Sequence, residues 1–165
     1  FLATYNLLGG IAVFFDTSGM HYPLLILTVH SYLWHILLII TGILSGILLV
    51  QKSATVPSLS YYKDMNRQLT DASMHHLLPS FSRITLLYIL FALIAEYLNH
   101  ILDSFGEINL FYINPDYQMT QVFFVKIGEL CGNNLAILVY ILATIFGAGI
   151  LYGFWNILIH ICSSH

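Results

Sequence analysis

The sequence predicts an all-α, polytopic transmembrane helical bundle, and three observations carry that prediction. Of its 165 residues, 58% are hydrophobic and 8% charged, where a soluble domain has about 45–50% apolar and about 25% charged residues. The mean hydropathy is +0.82. The apolar residues fall in long uncharged runs, as the bilayer demands of a spanning helix. Five basic and eight acidic side chains cannot cover the surface of a soluble domain this long. The net charge of −3, with no basic stripe, excludes a nucleic-acid partner. Cys131 and Cys162 form no CxxC pair, so neither a disulfide framework nor a zinc knuckle is indicated.

The runs define one transmembrane domain over 1–165, with three full spans and a partial N-terminal helix. Residues 1–15 are uncharged up to Asp16 but short of the roughly 20 residues that cross a bilayer. They read as the tail of a helix that begins before Phe1, or as a re-entrant piece broken at Gly9-Gly10. No basic segment precedes them, so they do not read as a signal peptide. Residues 24–50 form the first full span. Pro23 suits its first turn, where no N–H partner is needed, and Gln51-Lys52 close it. Residues 84–101 form the second, bounded by Arg83 and Asp103. Residues 134–161 form the third, which carries no Asp, Glu, Lys or Arg; Asn133-Asn134 after Gly132 predict its N-terminal cap.

Four of the five basic residues, Lys52, Lys63, Arg67 and Arg83, lie in the loop 51–83. The positive-inside rule puts that loop and the C-terminus in the cytoplasm. The loop 102–132 holds Asp103, Glu107, Asp116 and Glu129 against Lys126 alone, and is expected on the outer side of a cell membrane. In the cytoplasmic loop, residues 61–76 read as a short interfacial helix or a solvated connector. His75 and His76 project about 100° apart on a helix, so they are not read as a metal pair. In the outer loop, Asn114-Pro115-Asp116 is a turn signal. The apolar triplets Phe111, Tyr112, Ile113 and Val122, Phe123, Phe124 are expected to pack down on the helices or lie among headgroups.

Polar groups within the spans are the functional candidates, because lipid makes each of them costly. On a helical wheel Thr28, Ser31, His35, Gly42 and Ser45 or Gly46 share one face of the first span, while His30, Trp34 and Thr41 share a neighbouring one. Ser31 precedes His35 by four residues, so the two side chains can meet. His30 and His35 are five apart, which is not the four-residue spacing of a helical metal pair. In the second span Glu96 has Asn99 at i+3 and His100 at i+4 on one side, a grouping that can orient an imidazole or move a proton. Gly42/Gly46 and Gly149/Gly153 have the small-xxx-small spacing that lets helices associate closely.

Two stretches, MHYPLLILTVHSYLWHILLIITGIL and EYLNHILDSFGEINLFYINPDYQMTQ, resemble the YwaF-like family of bacterial multi-pass integral membrane proteins, to which a eukaryotic transmembrane lipid acyltransferase is related. Ile36 and Glu107-Ile108-Asn109-Leu110 depart from the family pattern. The resemblance implies that this chain is the C-terminal part of a bundle of six to seven spans. In the acyltransferase relatives a cysteine and a histidine act together. His35 matches the histidine, and neither Cys131 nor Cys162 sits at a matching cysteine position.

Three functions follow as expectations. The first is membrane-embedded acyl transfer on a phospholipid, with His35 as base, Ser31 or a cysteine elsewhere as nucleophile, and Glu96, Asn99, His100 and His30 binding substrate. The second is a solute carrier whose path is lined by His30, His35, Glu96, Asn99 and His100. The third is a structural subunit. The partner common to all is the lipid bilayer, and none calls for a metal or cofactor.

Overall fold

The structure is a computed structural model that describes residues 1–17, 20–55, 80–106 and 108–163. Residues 61–76, with His75 and His76, lie outside the described residues. A wide helical turn, Leu2–Asn6, leads into α1 (Leu7–Phe15); in it the Leu7 N–H reaches back five residues to the Leu2 carbonyl. Three long helices follow, α2 (Leu25–Thr55), α3 (Phe81–Leu102) and α5 (Asn133–Ser163), with the short α4 (Val122–Cys131) before the last. Among the described residues there is no strand.

Each long helix is apolar enough to cross a membrane: Leu25–Ser53, Phe81–Phe105 and Asn133–Cys162. At about 1.5 Å per residue, even the shortest of these stretches exceeds the roughly 30 Å hydrocarbon layer. Their outward faces are lined with large apolar side chains such as Leu25, Ile26, Leu86, Leu93, Phe146 and Ile150, all exposed. Water does not tolerate apolar surface on that scale, whereas lipid tails solvate it without cost. The protein is therefore membrane-embedded, as its composition predicts. Helix α2 continues past the expected end at Val50 because Gln51 and Lys52 add a further turn. A lysine in a last turn complements the helix dipole while its stem stays in the apolar layer.

The N-terminal turn and the first half of α1 pack against the long helices. Ala3, Thr4, Tyr5, Leu7 and Gly10 are all buried. Ala3 and Leu7 pack with Trp155, flanked by Ile39 and Leu158. Tyr5 packs with Ile84, Tyr88 and Ala148. α1 runs antiparallel to α2, since Gly10 lies against Ile39 and Gly42 against Leu7. It also runs antiparallel to α5, since Leu8 meets Gly147 while Ala3 meets Trp155. Polar groups inside this core are paired, as a dry interior requires. The Trp155 indole donates to the Ala3 carbonyl at 2.7 Å, and the Tyr5 hydroxyl donates to Thr85 Oγ1 at 2.9 Å. The Tyr5 ring also stacks on Tyr88 with centroids 4.6 Å apart.

Gly9-Gly10 is not a break, because the helix runs through it. Gly10 serves close packing instead: a Cβ there would lie 2.8 Å from Ile39 Cγ1 and 3.0 Å from the His35 carbonyl. A Cβ at Gly42 would come within 2.7 Å of Leu7 Cβ, and one at Gly46 would overlap the Trp155 ring. On α5, Gly149 has the Phe81 ring in ordinary contact distance, and Gly153 has open space around it.

Helix α4 was not foreseen as a helix. It ends at Gly132, whose φ of +91° is readily adopted only by glycine, and there the chain reverses into α5. Phe124 packs edge-on against Tyr140 at 5.3 Å, while Lys126 and Glu129 are exposed. The apolar triplet beginning at Val122 thus packs down on a spanning helix through Phe124.

Candidate functional site

The end of α3 and the start of α5 are joined through a loop that asparagine side chains hold in shape. An asparagine amide both donates and accepts, so it can pair with backbone as another peptide would. Asn99, 1% exposed, accepts from the Leu110 N–H at 2.7 Å and donates to the Leu110 carbonyl at 3.2 Å. Asn109 Oδ1 accepts from the Asn114 N–H, and Asn114 Nδ2 donates to the Ile108 carbonyl. Asn114 Oδ1 accepts from the Asp116 N–H, which makes Asn114-Pro115-Asp116 the turn expected from sequence. Asn133 donates to the Pro115 and Tyr117 carbonyls and accepts from the Met119 N–H. The expected helix cap at Asn133 is thereby corrected, since its amide pins the loop rather than its own helix. The Tyr117 hydroxyl adds a bond to Asp103.

This bracing holds two successive residues, Phe111 (φ +60°) and Tyr112 (φ +58°), in the left-handed region. Bulky side chains rarely adopt it, and such strain persists where the surroundings over-determine the backbone. Burial, then the neighbouring Tyr22 and Asp16, raises the Tyr112 hydroxyl above the ordinary tyrosine pKa. The turn after α1 therefore lies beside this loop.

Beneath the loop is a cleft of about 330 Å³ between α3, α5 and the loop. Its walls include Ile89, Leu93, Ile113 and Ile141, and its polar side chains are Glu96 and Asn134. Glu96 Oε2 is buried and has no hydrogen-bond partner. None of the lining residues is basic. Glu96 lies six residues before the end of α3, about 9 Å in from the helix end at the rise of an α-helix. A carboxyl group at that depth, against hydrocarbon walls, with one oxygen unsatisfied, is costly to maintain. Such a group is a functional candidate in its own right.

The remaining sequence candidates take separate places. Asn99 turns inward to the loop, while His100, one residue on, is exposed. With Asn99 committed to Leu110 and His100 facing out, the three groups do not form one cluster. On α2, His30 is exposed together with Trp34 and Thr41, while Ser31 and His35 are half-buried. His35 Nδ1 lies 2.7 Å from the Ser31 backbone carbonyl. A carbonyl oxygen only accepts, so Nδ1 carries the proton and Nε2 is left with a lone pair in the neutral ring. The hydroxyl of Ser31 makes no bond to that ring. Among the described residues, no three His, Cys, Asp or Glu side chains are grouped so as to hold a metal ion.

Sequence reasoning missed Asn134 as a wall of the Glu96 cleft, because it is 38 positions away and was read as part of a cap. The available signal was its place at the start of α5, level with the end of α3 that carries Glu96. Fold and site define a polytopic, membrane-embedded helical protein with an acidic cleft near one face. Comparison with protein-family models, characterised proteins and solved structures returns no match.

Proposed function

We propose that this chain belongs to a multi-pass membrane protein that binds a lipid-like amphiphile, with Glu96 contacting its polar head and Ile89, Leu93 and Ile141 its hydrocarbon. The observation that carries the reading is Glu96, which lines an apolar cleft and has one carboxyl oxygen, Oε2, buried without a partner. A soluble ligand would not explain hydrocarbon walls that meet the membrane, and a plain packing role would not explain a carboxylate among them. The chemistry we propose is the acyl transfer implied by the YwaF-like resemblance, on a lipid met at α2 rather than in the Glu96 cleft, which His35 does not line. His35, with Nδ1 committed to the Ser31 carbonyl, would use Nε2 as the base. Its nucleophile would come from outside the Ser31–His35 pair. Asn99 would act through the loop that walls the cleft rather than on substrate. The proposed sidedness follows the basic residues, with the loop 51–83 cytoplasmic.

Lipids that co-purify with the intact protein test the binding step. Leu93→Trp fills the cleft from its wall and is expected to deplete bound lipid severalfold, with helical content unchanged. Equal lipid content in the wild type and Leu93→Trp would remove the cleft as the binding site. For the proposed chemistry, His35→Ala in the full-length protein is expected to abolish acyl remodelling of added phospholipid. An unaltered lipid profile in that variant would end the role of His35 while leaving the binding reading intact.

A further inference from the structure

We infer that the amphiphile taken by the Glu96 cleft carries a primary ammonium head, so that the complex is a neutral carboxylate–ammonium pair set in hydrocarbon. The inference rests on the lipid-binding reading and specifies its ligand. A charge can be held in a low-dielectric site when an opposite charge and hydrogen bonds accompany it. Within the cleft wall the chain supplies a carboxylate and an amide, and no lysine, arginine or histidine. An anionic head would place like charge beside Glu96 with no base to offset it. A quaternary ammonium would neutralise charge but offers no N–H to the Glu96 carboxylate. A primary ammonium does both: it has three donors, enough for the Glu96 carboxylate at the cleft wall and a further acceptor, such as the Asn134 side chain.

The placement suits an amphiphile lying along α3. Leu93 and Ile89 precede Glu96 by three and seven residues, which puts all three on one helix face. A head at Glu96 therefore has its chain running toward the membrane interior, past Leu93 and Ile89 on one side and Ile141 on the other. Ile113 and Pro115 line the cleft on the loop side.

The test uses the purified full chain, with dodecylamine, dodecanol and propylamine as probes and bound ligand counted by native mass spectrometry. Dodecylamine is expected to occupy the protein at least tenfold more tightly than dodecanol of the same chain length. Propylamine, which has the head without the chain, is expected to bind far more weakly than dodecylamine. Glu96→Gln keeps the side-chain shape and removes the charge, and should bring the two dodecyl probes to near parity. Leu93→Trp should reduce both together. Equal binding of dodecylamine and dodecanol to the wild type would overturn the ammonium inference while leaving lipid binding in place. So would a preference for the amine that persists in Glu96→Gln. Propylamine binding as tightly as dodecylamine would also overturn it, by showing a head site without a lipid. Binding of no probe would overturn the lipid-binding reading itself.

Discussion

Replacing Asn99 by alanine removes both bonds that hold Leu110 and leaves a backbone N–H and carbonyl without partners. A hydrogen bond contributes about 1 kcal/mol net, and a group left unsatisfied costs about 1–3 kcal/mol. Leu110 is at the loop surface, so water recovers part of the loss. The expected penalty is then about 2–4 kcal/mol of local opening. At about 1.4 kcal/mol per decade, that is about 30- to 700-fold faster amide exchange at Leu110. Ile113, buried three residues further on, should lose protection in parallel, because the same clamp sets its position above the cleft. Asn99→Asp should do no better. It can still accept from the Leu110 N–H but turns a carboxylate oxygen toward the Leu110 carbonyl. Hydrogen exchange of the protein in lipid nanodiscs reads both amides. If Leu110 exchange in Asn99→Ala stays within about threefold of wild type, the clamp contributes too little to shape the loop.

Gly46→Ala should destabilise the bundle by about 1–3 kcal/mol, because the Trp155 ring it displaces is tied to Ala3. Gly153→Ala, in open space, should change stability by no more than about 1 kcal/mol, the scale of helix propensity. Thermal unfolding in detergent ranks the two, and an equal effect would refute the packing argument. Combined with Trp155→Phe, the Gly46→Ala penalty should shrink; strict additivity of the two changes would mean that they do not touch. For Tyr112, the folded pKa lies above the unfolded one near 10. The folded state then holds its proton longer, and loop stability falls as pH rises from about 10 through the folded pKa. An ultraviolet titration, taken as the difference between wild type and Tyr112→Phe, should show a phenol midpoint above the ordinary value; a midpoint at or below it would contradict the burial. Nitrogen-15 NMR of labelled histidine should find His35 with its proton on Nδ1 when neutral, and a proton on Nε2 alone would refute the Ser31 carbonyl bond.

The spans were legible to within a few residues because the bilayer fixes the length and composition of anything that crosses it. The position of the N-terminal helix was not, since α1 is apolar all round and its sequence marks no face for packing. Its glycines looked like a break; only the nearness of Ile39 and the His35 carbonyl shows why Gly10 has no side chain. Glu96 was legible as a cost in the membrane. Its company was not, because a wheel groups Asn99 and His100 around it while the structure sends one inward and the other out. Asn133 was equally ambiguous: cap and pin use the same amide, and the loop that it pins lies 14 to 18 residues upstream.

The packing of the N-terminal turn and the start of α1 against the long helices bears on how the chain is made. Residues 1–15 leave the ribosome well before Phe81 and Asn133, where two of the helices that they pack against begin. Until α3 and α5 have entered the bilayer, the Tyr5 hydroxyl and the Ala3 carbonyl lack Thr85 and Trp155. Each long helix can enter the membrane on its own hydropathy, while α1 is held by its neighbours. The earliest of these segments to be synthesised is thus among the last to reach its final surroundings. Translation that stops before Asn133 leaves α1 without its α5 wall, a half-built bundle for membrane quality control to recognise.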